Sequence, residues 1–225
     1  DKIIVEGKVD RVDIANIDSD MYFRIIDYKT GVKDYNFSDL LYGINIQMLI
    51  YMAAISENGK QRYNNAKPAG VLYVNVKRPI EQVERNRLLA KTKSNTQGVI
   101  LDTAKVIDAM DKNKDGKSLA ISYDKKGNIK SSKYIQTVNK PEMDMIKNKV
   151  KSLIKDIPSK LKKGDIKALP LKEDKSNGFD ACKWCDYKSV CLYEDNMEKI
   201  SFVKIKKDML IKQLKEEQGD NKNGK

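Results

Sequence analysis

Two short stretches near the start of this 225-residue chain, Gly7-Lys-Val-Asp10-Arg-Val-Asp13 and Ile25-Ile-Asp27-Tyr28-Lys29-Thr-Gly31, carry carboxylates and a lysine at spacings that chemistry can use. Asp27 and Lys29 are two apart, so on an extended strand they project from one face. If Asp10 lies beside Asp27, the two carboxylates repel unless a proton or cation intervenes, and a hard divalent cation with oxygen ligands is the usual relief. An exposed ion pair between Lys29 and one aspartate is the other reading of the same residues. The chain has no histidine, which removes Ser-His-Asp and Cys-His nucleophilic chemistry and any imidazole metal site within it. Acid–base work then falls to carboxylate, lysine, tyrosine or water activated by a metal.

The elements that would position these groups begin with a hairpin. Val9 to Ala15 and Met21 to Tyr28 are rich in β-branched and aromatic residues, and Asn16-Ile-Asp18-Ser19-Asp20 between them is a turn-forming cluster. With Asp18 and Ser19 as the turn, Asn16 faces Met21, Ile14 faces Phe23, Val12 faces Ile25 and Asp10 faces Asp27. An apolar stripe of Ile14, Val12, Phe23 and Ile25 then ends in Asp10, Asp27 and Lys29.

Further along, Ser38 is the expected N-cap of a helix running to about Asn58, with apolar residues from Leu40 to Ile55 at helical spacing and Gly59 closing it. Gln47 and Tyr51 share one side of that helix. Ala69 to Val76 reads as a buried strand, Pro79 to about Gln97 as a loose helical or loop insertion, and Val99 to Met110 as an amphipathic helix. Ile121 to Asp124 and the residues from Ile129 suggest a short hairpin. Pro141 opens a helix that Pro158 should kink or end, and from Lys204 a charged tail is expected to fray. The order strand, strand, helix, strand predicts an α/β layered domain. The expected division is residues 1–195 as one domain and 196–225 as a charged C-terminal helix or tail.

Composition narrows the class without naming a function. The length suffices for a full core, and no apolar run is long enough to span a bilayer, so a soluble, cytoplasmic protein with no membrane partner is expected. A formal charge of +12 suits a phosphate-backbone partner, although abundant Lys, Asn and Ile also fit a compositional bias.

Two stretches resemble metal sites. Asp111-Lys-Asn113-Lys-Asp115-Gly116 copies the first half of an EF-hand loop, but Ser118 and Ser122 stand where an apolar residue and a bidentate glutamate belong, so a polar turn explains it better. Cys182-Lys-Trp-Cys185-Asp-Tyr-Lys-Ser-Val-Cys191 holds every cysteine of the chain. Three thiols at this spacing can bind one metal centre, yet iron–sulfur clusters and structural zinc usually take four protein ligands. The odd count and the intracellular reading disfavour disulfides.

Taken in order, the Gly-Lys-Val-Asp10 and Ile-Ile-Asp27-Tyr-Lys29 stretches, Gln47-x3-Tyr51 and Cys182-x2-Cys185-x5-Cys191 resemble the RecB-like nucleases of the PD-(D/E)XK superfamily. Within it they most resemble the C-terminal nuclease domains of AddB-type components of helicase-nucleases, over roughly Val5 to Tyr193. The resemblance implies a restriction-endonuclease-like α/β core, a mixed central sheet flanked by helices, with a helical insertion and a C-terminal cysteine loop. It implies that Asp10, Asp27 and the backbone carbonyl of Tyr28 ligate Mg2+. Lys29 would stabilise phosphate charge or position the attacking water, and Gln47 and Tyr51 would contact DNA or brace the site. The implied activity is Mg2+-dependent DNA exonuclease action in double-strand-break repair, with DNA and an AddA-type helicase-nuclease subunit as partners.

Members of the family also carry a cysteine and a metal-binding histidine upstream of the first aspartate motif. This chain has neither, so it is expected to be a fragment of a larger polypeptide and a poor nuclease by itself. In the full-length parent the further cysteine would complete a 4Fe-4S cluster with Cys182, Cys185 and Cys191. A stand-alone Cas4-like nuclease and a noncatalytic DNA-binding module with the same fold are the alternatives. The long stretch between Tyr51 and Cys182 argues against the first, and intact Asp10, Asp27 and Lys29 against the second.

Overall fold

Alternating residues and a central Asp-Ser turn do build a hairpin. In the computed structural model Arg11–Ile17 (β1) and Asp20–Lys29 (β2) pair antiparallel, with Asn16 opposite Met21, Ile14 opposite Phe23 and Val12 opposite Ile25. That is the register read from the residues. Asp18 makes the corner at φ 54°, a left-handed conformation that aspartate adopts more readily than most residues. The structure describes residues 3–31, 35–76, 96–114, 116, 118–125, 127, 129, 132, 134–175, 178–194 and 197–223. The chain forms two units, residues 1–36 with 45–151, and residues 37–44 with 152–225.

In the first unit β2 is joined to Lys67–Asn75 (β3), β3 to Thr96–Leu101 (β4), and β4 to Ile135–Val138 (β5), giving the sheet order β1-β2-β3-β4-β5. β2 with β3 and β4 with β5 are parallel, while the other two pairs are antiparallel, so the sheet is mixed as expected. Parallel neighbours need a long crossover. That between β2 and β3 contains Phe37–Tyr42 (α1), Gln47–Asn58 (α2) and Lys60–Tyr63 (α3). α2 lays Met48, Leu49, Met52 and Ala53 inward and packs on β2 and β3.

The single helix expected from Ser38 to Asn58 is two helices. Gly43 and Asn45 both adopt left-handed backbone, φ 70° and 52°, which interrupts the helical ladder between α1 and α2. Gly59 does close α2, its N–H donating to the Ile55 carbonyl at 2.9 Å. The helix expected over Val99 to Met110 is likewise divided, into the end of β4 and a shorter helix, Ala104–Met110 (α4). Gly98, Val99, Ile100 and Leu101 are buried; the first three are paired on both sides, by β3 and β5, and Leu101 by β5. An apolar run buried on both faces shows no alternation, which is why it imitates a helix segment. β5 went unread for want of such a signal, whereas the short hairpin appears as an antiparallel bridge between Tyr123 and Ile129. Most of the insertion expected over Pro79 to Gln97 lies outside the described residues, and Thr96 and Gln97 belong to β4.

Lys140–Lys162 (α5) starts on a reciprocal cap, with Glu142 N–H donating to Asn139 Oδ1 and Asn139 N–H to Glu142 Oε2, both at 2.9 Å. Pro158 does not end it, and the helix runs four residues further. The chain passes from the first unit to the second within α5, after Lys151.

The second unit holds a parallel pair, Leu171–Lys172 (β6) with Ile200–Ser201 (β7), the short helix Lys188–Cys191 (α6), and Lys207–Asn223 (α7). The segment expected to fray is α7, and it packs with α1, burying Leu210, Ile211 and Leu214. Three apolar residues on one side outweigh its charged majority. Ser38 is within α1 rather than at its cap, and its Oγ accepts the Ile205 N–H at 2.7 Å. Rings of Tyr42, Phe202 and Phe179 fill the remainder, at 5.0 and 5.3 Å between centroids. Among the described residues no helix is long and apolar enough to cross a membrane.

Candidate active site

β2 is paired on both edges, by β1 and β3, and side chains on both of its faces are buried: Phe23 and Ile25 on one, Ile26 on the other. Asp27 follows directly on this apolar run and is itself 6% exposed. A carboxylate this deep needs compensation. Lys29, on the same face, brings Nζ to 2.6 Å from Asp27 Oδ2. That oxygen is buried, and beyond this ion pair it receives no hydrogen bond.

The ladder between β1 and β2 ends at the pair Arg11 and Ile26. One step further Asp10 takes over as acceptor, with Tyr28 N–H donating to its Oδ2 at 3.1 Å. This holds the Asp10 carboxylate at the edge of β2, against the residue next to Asp27 and in continuation of the hairpin register. The N–H and C=O of a strand residue project to the same lateral side, so the Tyr28 carbonyl shares the edge on which Asp10 sits.

α2 delivers the next pair. Gln47 Nε2 donates to Tyr51 Oη at 2.9 Å, one helical turn apart. Gly7, the first residue of the Gly-Lys-Val-Asp10 stretch, lies against the Tyr51 ring so closely that a Cβ there would come 2.5 Å from Cε1. The absence of a side chain at Gly7 therefore ties the segment carrying Asp10 to the helix carrying Gln47.

Two residues on β3 lie beside these groups without any motif in the sequence to mark them. Parallel pairing sets Tyr73 opposite Asp27 and Asn75 opposite Lys29, which puts all four on one face. The Tyr73 ring centroid is 5.9 Å from Lys29 Nζ, and its hydroxyl donates to the Asn45 carbonyl at 3.4 Å, just before α2. The only signal for them was their parity in the strand, and the partner strand is known only from the fold. On the opposite face of the hairpin Asp13 accepts from Arg11 at 2.6 Å and from Arg24 at 2.9 Å. Partial burial opposes ionisation of Asp13, but the two guanidinium hydrogen bonds outweigh it and hold its carboxyl below the ordinary value.

The donor set suits a magnesium ion. Asp10 and Asp27 offer two carboxylates, one with an unsatisfied buried oxygen, and all the candidate donors are hard oxygens. Mg2+ characteristically takes one or two carboxylates and completes its shell with water and phosphate oxygens. Among the described residues no three Asp, Glu or Cys side chains converge on one point. Asp111 is not poised for calcium: it is 1% exposed, and its Oδ2 closes the turn by accepting from Gly116 N–H at 3.2 Å and Tyr123 Oη at 3.1 Å.

The cysteines are in the second unit. Cys182 begins a 3-10 turn capped by Asp180, which accepts the Cys182 N–H at 2.8 Å, Cys185 follows that turn, and Cys191 ends α6. Cys185 and Cys191 are exposed, and burial raises the Cys182 thiol pKa. All three thiols are free and they do not converge on one point, so the structure does not bring them together as the ligand set that the spacing suggested.

Comparison with known proteins agrees with the fold. Residues 2–192 match the model of the PD-(D/E)XK nuclease superfamily. The chain is 34% identical over 228 residues to the B subunit of the ATP-dependent helicase/deoxyribonuclease of Thermoanaerobacter sp. (strain X514), covering 97% of this chain and 19% of that protein. Similar proteins of the same description occur in Clostridium kluyveri, 33% identical over 88% of this chain and 18% of the relative, and Clostridium novyi, 33% over 98% and 20%. The chain thus spans about one fifth of the length of these relatives. With a mixed sheet that gathers Asp10, Asp27 and Lys29 at the end of β2, and a family match over most of its length, the chain belongs to the PD-(D/E)XK nuclease superfamily.

Proposed function

We propose that this chain is the Mg2+-dependent deoxyribonuclease domain of an AddB-type helicase-nuclease polypeptide, hydrolysing phosphodiesters of DNA during double-strand-break repair. The observation that carries it is the buried, unsatisfied Asp27 Oδ2 with Lys29 Nζ at 2.6 Å and Asp10 held at the adjoining strand edge. A bound Mg2+ would neutralise charge on the scissile phosphate and acidify the attacking water. Asp10, Asp27 and the Tyr28 carbonyl would hold it.

Lys29 supplies a positive charge on the same face, suited to the charge that builds on the phosphate oxygens. Gln47 and Tyr51, locked to each other and to Gly7, brace the segment carrying Asp10 and present an amide and a phenol to the DNA. The cysteine loop enters none of these steps. A helicase partner, as the relatives' description suggests, would deliver the strand.

Asp27→Ala or Lys29→Ala in the full-length protein is expected to lower Mg2+-dependent degradation of linear DNA by about a thousandfold or more. Gel assays with and without EDTA measure it. Undiminished cleavage by either variant would remove these residues from the chemistry.

A further inference from the structure

Asp27 Oδ2 is not the one buried oxygen left without a hydrogen bond on this sheet face. Asn75 Oδ1 is another, and parallel pairing makes Asn75 the direct neighbour of Lys29. A buried acceptor without a donor is costly, and natural structures keep few. The Lys29 ammonium is 2.6 Å from the first of these oxygens, Asn75 is its cross-strand neighbour, and the Tyr73 ring centroid is 5.9 Å from it.

A divalent cation taken up at Asp27 Oδ2 would compete with the Lys29 ammonium 2.6 Å from that oxygen, since like charges at this range repel, and would favour moving the ammonium to another acceptor. Once moved, it must remain on the site face to act on phosphate. We infer that Asn75 is the positioning residue for Lys29: its Oδ1 accepts the ammonium when a divalent cation displaces it from Asp27, while the Tyr73 ring guides the side chain between the two. This rests on the nuclease reading above and adds a residue on β3 to a site otherwise built from β1, β2 and α2. Asn75 acts through Lys29 and touches neither substrate nor cation.

The experiment uses the full-length protein, with linear duplex DNA as substrate and Mn2+ as the calorimetric probe. Asn75→Leu is expected to lower kcat about tenfold or more with KM for DNA nearly unchanged, and to weaken Mn2+ binding about severalfold because Lys29 stays on Asp27. Asn75→Asp, which keeps the oxygen, should recover most of the turnover. Asn75→Ala repeats the test without crowding the strand end. In a Lys29→Met background the effect of Asn75→Leu on Mn2+ affinity should vanish, since the two residues act as one unit.

Unchanged turnover in Asn75→Leu, with wild type active and Asp27→Ala inactive, overturns the assignment and leaves the nuclease reading intact. So does a loss of Mn2+ affinity that persists without Lys29, which would make Asn75 a ligand. A wild-type protein that neither binds Mn2+ nor cleaves DNA overturns both.

Discussion

Gly7 shows how much of the site rests on a side chain that is absent. Its backbone lies against the Tyr51 ring, and a methyl group placed there would sit 2.5 Å from a ring carbon, so the ring or the strand must shift. Because Tyr51 also accepts from Gln47 at 2.9 Å, the displacement reaches both members of that pair. Gly7→Ala is therefore expected to lower turnover about tenfold or more, since misplacement on the scale of an ångström is costly to an aligned site. Steady-state cleavage of linear DNA by the full-length variant measures it, and wild-type turnover would show that Tyr51 yields freely. Asp27 and Lys29 pose the converse problem: two charges are held together, and beyond that ion pair the buried carboxylate oxygen receives no hydrogen bond.

Among the elements, β2 carries most of the site because its neighbours enclose it, and the burial that makes it a core strand also makes Asp27 costly to leave uncompensated. α2 contributes by being short. The left-handed residues Gly43 and Asn45 start it afresh after α1, and the Asn45 carbonyl is where Tyr73 Oη anchors its entry. α7 illustrates how a helix that reads as a charged tail can be structural. Leu210 is fully buried and Leu214 nearly so. Leu210→Ala is expected to destabilise the second unit by about 2–5 kcal/mol, the usual cost of a cavity at a filled position, while Met209→Ala, at an exposed position, costs little. Urea unfolding followed by circular dichroism distinguishes them, and equal midpoints would mean that α7 contributes little to packing.

Over the whole molecule the +12 charge is the property most relevant to a nucleic-acid partner. If DNA binding proceeds through phosphates, affinity for duplex DNA should fall by about tenfold or more between roughly 50 and 200 mM salt, because each neutralised phosphate releases counterions. Fluorescence anisotropy across a salt series tests this, and a flat series would exclude a phosphate-dominated interface. What the sequence determined alone was the local part. Alternation, a two-residue turn and the spacing of Asp27, Lys29, Gln47 and Tyr51 act over distances of one turn or one strand pair, so register and helix face followed from the residues. Tertiary structure decided what depended on distant partners. Val99 and Ile100 became strand because β3 and β5 pair with them, α7 became a packed helix because α1 covers it, and Tyr73 and Asn75 came beside Asp27 and Lys29 because β3 runs parallel to β2. The strands lack a local signal, since burial on both faces erases periodicity and a strand's neighbour is chosen only when the whole sheet assembles, while the apolar side of α7 is local but what it packs against is not.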